Sequence, residues 1–173
     1  MSRFFIILGI IFLLTTGFLI YQRNTPKRLA FDIDSLPTTS VSSKKSPQVL
    51  IIESLGIRLP IIPAKISKSR WEATSEGVSF LSSSSIPGEI GNSILYGHNW
   101  PNILGKLTQA KPGQSIEVIF SDNTKKEFLI EFTSIVTPDE IHILDQTKDI
   151  RLTLYTCTGF LDSKRFVVTA IKI

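Results

Sequence analysis

Seven short runs rich in β-branched and aromatic residues punctuate the chain from residue 48 onward: QVLIIESL, IRLPII, NSILYG, SIEVIF, KEFLIEFTSIV, DIRLTLYTC and KRFVVTAIKI. Turn formers bound each run, and no long amphipathic helical pattern lies between them. The pattern predicts an all-β fold, a closed sheet in the form of a barrel or sandwich. SKSRWEAT and PNILGKLTQ each read as a short helix, the second started by Pro101. There is no internal repeat, and 173 residues suffice for one domain with a real core but not for two.

Ahead of these runs stands FFIILGIIFLLTTGFLIY, Phe4–Tyr21, eighteen residues without a charge. As a helix it would be roughly 27 Å long, enough for a thin hydrocarbon core. Arg3 and Tyr21 suit the two interfaces, and no small-x-small cleavage pattern follows Tyr21, so an uncleaved anchor is expected over 1–23. Residues 24–46 are rich in Ser, Thr, Pro and Lys, lack apolar periodicity, and read as an extended, solvated linker. The folded domain is expected over 47–173.

The net charge of +4 resides entirely in residues 1–46, where six basic residues face two acids. Residues 47–173 carry thirteen of each sign and are neutral. The basic tail suits anionic lipid, whereas a nucleic-acid surface would place the charge on the folded part.

Chemistry concentrates at the last two runs. Along Ile150–Cys157, Ile150, Leu152, Leu154 and Thr156 share one strand face, and Arg151, Thr153, Tyr155 and Cys157 share the other. Cys157, the only cysteine, ends its strand and is expected to be reachable; no disulfide or multi-thiolate metal site is possible. If the last two runs form a hairpin, Cys157 and Arg165 stand at the two ends of one short loop. A catalytic thiol needs nearby positive charge or a base. Of two histidines, His98 follows a strand in GNSILYGHNW, while His142 sits in the acidic loop PDEIHILD and reads as solvated. Arg165 is a fixed cation whose fork can face a carbonyl oxygen. Taken singly, each of these residues is more often structural than catalytic.

Together they resemble the sortase family. TLYTC at 153–157 followed by Arg165 is similar to the family's Thr-Leu-x-Thr-Cys and downstream arginine, and GNSILYGHN to its histidine motif. IPGEIGNS, LGIRLPI and GVSF resemble further segments, so the likeness covers about 48–173 in the order histidine, cysteine, arginine. It implies an eight-stranded closed sortase-type β-barrel with one or two short helices behind a transmembrane helix. It further implies a cysteine transpeptidase with Cys157 as nucleophile, His98 as proton shuttle, Arg165 as oxyanion and substrate clamp, and Thr156 helping through its backbone N–H. The loop at Thr137–Asp149 would embrace an LPxTG-like sorting signal, with Val136, Pro138, Ile141, Ile143 and Leu144 as its apolar wall. The implied partners are secreted proteins bearing a C-terminal sorting signal, and an amine acceptor such as a wall precursor or a pilin lysine. The domain would be extracytoplasmic on a single-pass anchor, although Arg23, Lys27 and Arg28 behind the span mildly favour the opposite orientation.

No cofactor or metal is expected. Where some family members carry acids for calcium, this chain has LSSSS at 81–85 and Gln146. Tyr96 and Trp100 are bulkier than the residues expected around the histidine and reshape the pocket. Papain-like wall hydrolases place the cysteine before the histidine, and L,D-transpeptidase-like proteins want an arginine two residues beyond the cysteine, where Gly159 stands. The remaining alternative is a membrane-tethered β-barrel binding module, or an inactive sortase-like domain, with a structural cysteine.

Overall fold

The structure is a computed structural model that describes residues 2–23, 25–33, 45–67 and 70–173. One α-helix, α1 (Ser2–Arg23), is followed by a 3₁₀ turn over Pro26–Leu29. Among the described residues ten strands come next: β1 (Pro47–Ile52), β2 (Ile57–Ala64), β3 (Ile66–Ser67), β4 (Arg70–Trp71), β5 (Val78–Leu81), β6 (Gly91–Gly97), β7 (Ser115–Phe120), β8 (Lys125–Val136), β9 (Ile150–Thr158) and β10 (Lys164–Lys172). Eight of them close into a barrel in the order β1-β2-β5-β6-β9-β10-β8-β7. The eight-stranded closed barrel expected from the sequence is thus present. Two of its pairings, β2 with β5 and β6 with β9, are parallel, so the sheet is mixed.

Strand alternation divides the buried side chains into two sets. Leu152 and Leu154 of β9, Val168 and Ala170 of β10, Leu95 of β6 and Phe128 of β8 fill the barrel interior. Tyr155 and Cys157 of β9, Ile94 and Tyr96 of β6, and Val167 of β10 point to the outer face. An outward face of a barrel is normally solvated, yet this one is buried: Leu29, Phe31 and Trp71 lie over it. Tyr96 and Tyr155 stack with ring centroids 5.4 Å apart, and Trp71 meets Tyr96 edge-on at 5.4 Å. Edge-to-face and offset ring pairs add to the area they bury.

Three local expectations are corrected. SKSRWEAT, of which residues 68 and 69 lie outside the described ones, does not form a helix; Ser67 and Arg70 belong to the paired strands β3 and β4. Eight residues are too few to sustain a helix without tertiary support, and here the tertiary pull is on Trp71, drawn in among Phe31, Tyr96 and Tyr155. PNILGKLTQ makes a turn and then a 3₁₀ helix over Gly105–Gln109, not a helix from Pro101. The Trp100 carbonyl accepts from both Ile103 and Gly105, and a Cβ at Gly105 would lie 2.7 Å from that oxygen. Finally, the solvated linker expected over 24–46 does not hold for 25–33. Leu29 and Phe31 are fully buried, and the Asp32 N–H donates to the Pro138 carbonyl at 3.0 Å.

Candidate active site

The site is built on β6, β9 and β10. In the antiparallel β9–β10 hairpin, Cys157 stands directly opposite Arg165, as the short loop between the two runs suggests. Parallel β6 ends with Gly97 paired to Thr156, so His98 emerges immediately beside Cys157. The Thr156 hydroxyl donates to the Gly97 carbonyl at 2.8 Å and locks this junction. The His98 ring stacks on Trp100 at 4.3 Å and 8°, while its carbonyl accepts from the Leu104 N–H. His98, Asn99, Trp100, Cys157, Asp162 and Arg28 line one small cleft.

Gly159 opens the β9–β10 loop with φ 79° and ψ 179°, a conformation essentially confined to glycine, and Leu161 and Asp162 follow in the left-handed region. This turn brings the Asp162 carbonyl within 3.0 Å of Arg165 Nη1, which also donates to the Lys164 carbonyl.

Residues 28–31 lie across the cleft. The Cys157 thiol donates to the Arg28 carbonyl (2.8 Å), the Tyr155 hydroxyl to the Leu29 carbonyl (3.1 Å), and Arg165 Nη2 to the Ala30 carbonyl (2.7 Å). The Phe31 ring meets Tyr155 edge-on at 5.1 Å and lies 5.7 Å from the Arg165 guanidinium carbon. On the outer side Arg28 donates to the Asp162 carboxylate at 2.7 Å. Three consecutive backbone carbonyls thus occupy donors of the site, and two apolar side chains fill the aromatic floor.

This cover changes one expectation. Cys157 is 3 % exposed, so the reachable strand-end thiol of the sequence reading is buried in this conformation. Arg165 is buried with it, also 3 % exposed. Its Nε has no hydrogen-bond partner among the described residues. Burial pushes the thiol up to about 12; Arg165 and Arg28 pull it down and Asp162 pushes it further up. Burial lowers the His98 pKa, against the pull of Asp162. With the cover in place the pair is a neutral thiol beside a neutral imidazole.

Of the five residues expected to wall the substrate, three gather at one cluster. Val136 and Leu144 are buried in the outer cluster with Tyr155 and Cys157, Ile143 packs against it, Ile141 is exposed, and Pro138 is engaged through its carbonyl with Asp32. Val136 and Ile143 also line a groove under the 137–149 loop with Asn92, Thr153 and Arg151, and His142 sits exposed at its rim. That loop is held by a neutral amide network. Asn92 donates to the Ile143 and Asp145 carbonyls and accepts from Thr153, while Gln146 accepts from Ser85 and donates to the Asn92 carbonyl. Gly91, at φ 117°, is obligatory here because a Cβ would fall 2.1 Å from Ser85 Oγ. Among the described residues, no group of three or more His, Cys, Asp and Glu side chains is placed to hold a metal.

Sequence reasoning missed Arg28, Leu29, Phe31 and Asp162. The trace it could have followed is LAF at 29–31, an apolar island in an otherwise polar stretch.

Comparison with known proteins converges on one family. A family model described as Sortase, Sortase domain, matches residues 50–173. Sortase A of Bacillus anthracis is 25% identical over 141 residues, covering 79% of this chain and 64% of that protein. The chain therefore spans somewhat less than two thirds of that relative's length. Sortase A of Listeria monocytogenes is 25% identical over 158 residues, covering 84% of this chain and 69% of the relative. Among solved structures, Streptococcus agalactiae sortase C1 in complex with MTSET superimposes with a TM-score of 0.63 at 23% identity, covering 73% of this chain and 66% of the other. That last likeness speaks for the fold; relatives of differently lettered classes leave the class open.

Proposed function

The chain belongs to the sortase family, and from that premise we propose that it is a cysteine transpeptidase that cleaves an LPxTG-like sorting signal and passes the acyl group to an amine. The observation that carries the proposal is the cross-strand pair Cys157–Arg165 with His98 beside it at the end of parallel β6. Cys157 attacks the scissile carbonyl, and His98 takes the thiol proton and delivers it to the leaving amine. Arg165 faces the developing oxyanion with a donor that has no partner at Nε, and with Nη2, which the Ala30 carbonyl now occupies. The Thr156 backbone N–H assists. The acyl thioester then passes to the incoming amine with the proton transfers reversed. Residues 28–31 must withdraw before any of this, because they hold the thiol, the guanidinium and the aromatic floor.

The division into an anchor over 1–23, a connecting segment over 24–46 whose residues 28–31 dock on the barrel, and a catalytic domain over 47–173 belongs to the same proposal. So does its placement, a single-pass membrane protein with the domain outside the cell. In support, α1 contains a stretch over Arg3–Gln22 long and apolar enough to cross a membrane, of mean hydropathy 2.5, with none of it buried against the protein.

Incubating the full chain with a panel of pentapeptide signals and amines, read by mass spectrometry, tests the activity. A thioacyl adduct on the parent and none on Cys157→Ala is expected. A covalent adduct retained by Cys157→Ala would remove Cys157 from the mechanism. One observation favours a second reading, a binding module or inactive sortase-like domain with a structural cysteine: the thiol is buried and its pKa is raised to about 12. No adduct with any peptide, from a chain whose cover has been loosened, would favour that reading.

A further inference from the structure

The end of α1 and the mouth of the cleft are joined by two side-chain contacts. Gln22, in the last turn of the helix, accepts from Arg28 Nη2 at 3.1 Å, and Arg28 Nη1 donates to Asp162 at 2.7 Å. The chain turns sharply in between, with the Thr25 hydroxyl and N–H both on the Gln22 carbonyl and the Arg28 N–H on the Thr25 carbonyl. From Arg23 to Arg28 even a fully extended chain reaches less than about 20 Å.

Asp162 belongs to the β9–β10 loop, and the two residues before it are the most exposed large apolar pair on the barrel. Phe160 is 85 % exposed and Leu161 54 %. Leu161 is held in the left-handed region at φ 51°, so this is a shaped tip that presents its side chains outward rather than a tail. Exposed Lys164 follows the tip in sequence, and exposed Lys27 is the neighbour of Arg28, which bonds Asp162. An apolar tip with a lysine on each of the two bonded segments, tied to the end of an apolar helix, is the chemistry of a membrane interface.

We propose that the β9–β10 loop is a bilayer contact: Phe160 and Leu161 seat in the interfacial zone of the membrane that α1 enters, with Lys27 and Lys164 at the headgroups. The covered cleft of Cys157 and His98, bordered by Asp162 of the same loop, then faces the lipid surface. This holds whichever side of the membrane the domain occupies, and it rests on reading α1 as membrane-embedded. A bilayer is preferred over a protein partner because the helix end fixes the loop beside the lipid.

The test uses the full chain reconstituted in vesicles of phosphatidylcholine and phosphatidylglycerol carrying a shallow, headgroup-proximal nitroxide. Phe160→Trp places a fluorophore at the tip, and Lys125→Trp places one at the β7–β8 hairpin, at the opposite end of β8 from Val136 and the site. Emission from Trp71 and Trp100 is subtracted using the parent chain. The added emission of Phe160→Trp is expected to be lost to the lipid quencher and that of Lys125→Trp to persist. If the two variants are quenched alike while the chain resists carbonate extraction, the contact is refuted and the anchor reading stands. Unchanged Phe160→Trp emission that an aqueous quencher also fails to reach would reassign the tip to a protein or self-contact. Release of the chain by carbonate would remove the anchor reading, and this inference with it.

Discussion

Replacing Phe31 by Ala isolates the energetics of the cover. The ring is 2 % exposed and is wedged between Tyr155 and Trp71 with the Arg165 guanidinium over it. Truncating a buried phenylalanine costs about 3–5 kcal/mol. None of that loss should fall on the barrel, whose eight strands close without residues 25–33; it falls on docking of the short segment. Even the lower figure shifts docked against released by about 10²-fold. The thiol reports the shift. Docked, it sits at about 12; released, it returns toward the ordinary value of about 8.5. A group whose pKa is raised by docking strengthens docking fully below the released value. That contribution fades as pH climbs from there toward the docked value, by about 1.4 kcal/mol per unit. Iodoacetamide modification followed by intact mass should therefore be slow in the parent, with an apparent titration well above that of a free thiol. Phe31→Ala should react up to about 10²-fold faster at pH 8, and its titration should move toward the ordinary range. Equal rates and superimposable pH profiles, with the barrel intact by circular dichroism, would refute the reasoning.

Arg165→Lys keeps the charge but loses the fork, and a lost oxyanion donor costs about 10²–10³ in kcat with KM less affected. Because Arg165 is buried and serves three carbonyls, Arg165→Ala should also lower thermal stability, by about 1–3 kcal/mol; an unchanged melting temperature would contradict that geometry. Asn92→Ala severs the 137–149 loop from the barrel face at two points, the Ile143 and Asp145 carbonyls, so peptide KM should rise more than kcat falls, and a kcat-only defect would show that the loop does not position substrate. With Ser85 and Gln146 bonded to each other at 2.7 Å, turnover should be the same with calcium or chelator; several-fold activation by calcium would point to ligands elsewhere, with Glu89, Asp139 and Glu140 the first to examine.

The strands were legible because apolar alternation is local, and the Cys157–Arg165 pairing because a short loop joins β9 to β10; His98 reaches them through the parallel β6–β9 pairing, which no short loop announces and only the resemblance of GNSILYGHN to a known motif suggested. What the sequence concealed was long-range. The Arg28 carbonyl and the Cys157 thiol are 129 positions apart, and a backbone carbonyl leaves no mark in residue identity. Failing to see the cover, a reading of β9 alone takes Cys157 for reachable; that conclusion is right for the strand and wrong for the face it presents. Trp71 misled in the same way. Its ring belongs to the outer cluster with Phe31 and Tyr155, so partners distant in sequence overrode the local preference of SKSRWEAT.

The segment that plugs the cleft is also the segment that leads to α1. With α1 in a bilayer, docking holds the barrel on a short leash, because Arg28 is pinned to Asp162 within a few residues of the helix end. Undocking frees the described segment 25–33, and a flexible coil of 23 residues, the length of 24–46, spans roughly 24–29 Å. Exposing the thiol and widening the territory the barrel can patrol are then one event. Lateral tension that draws the segment after α1 away from the barrel would then uncover the thiol mechanically.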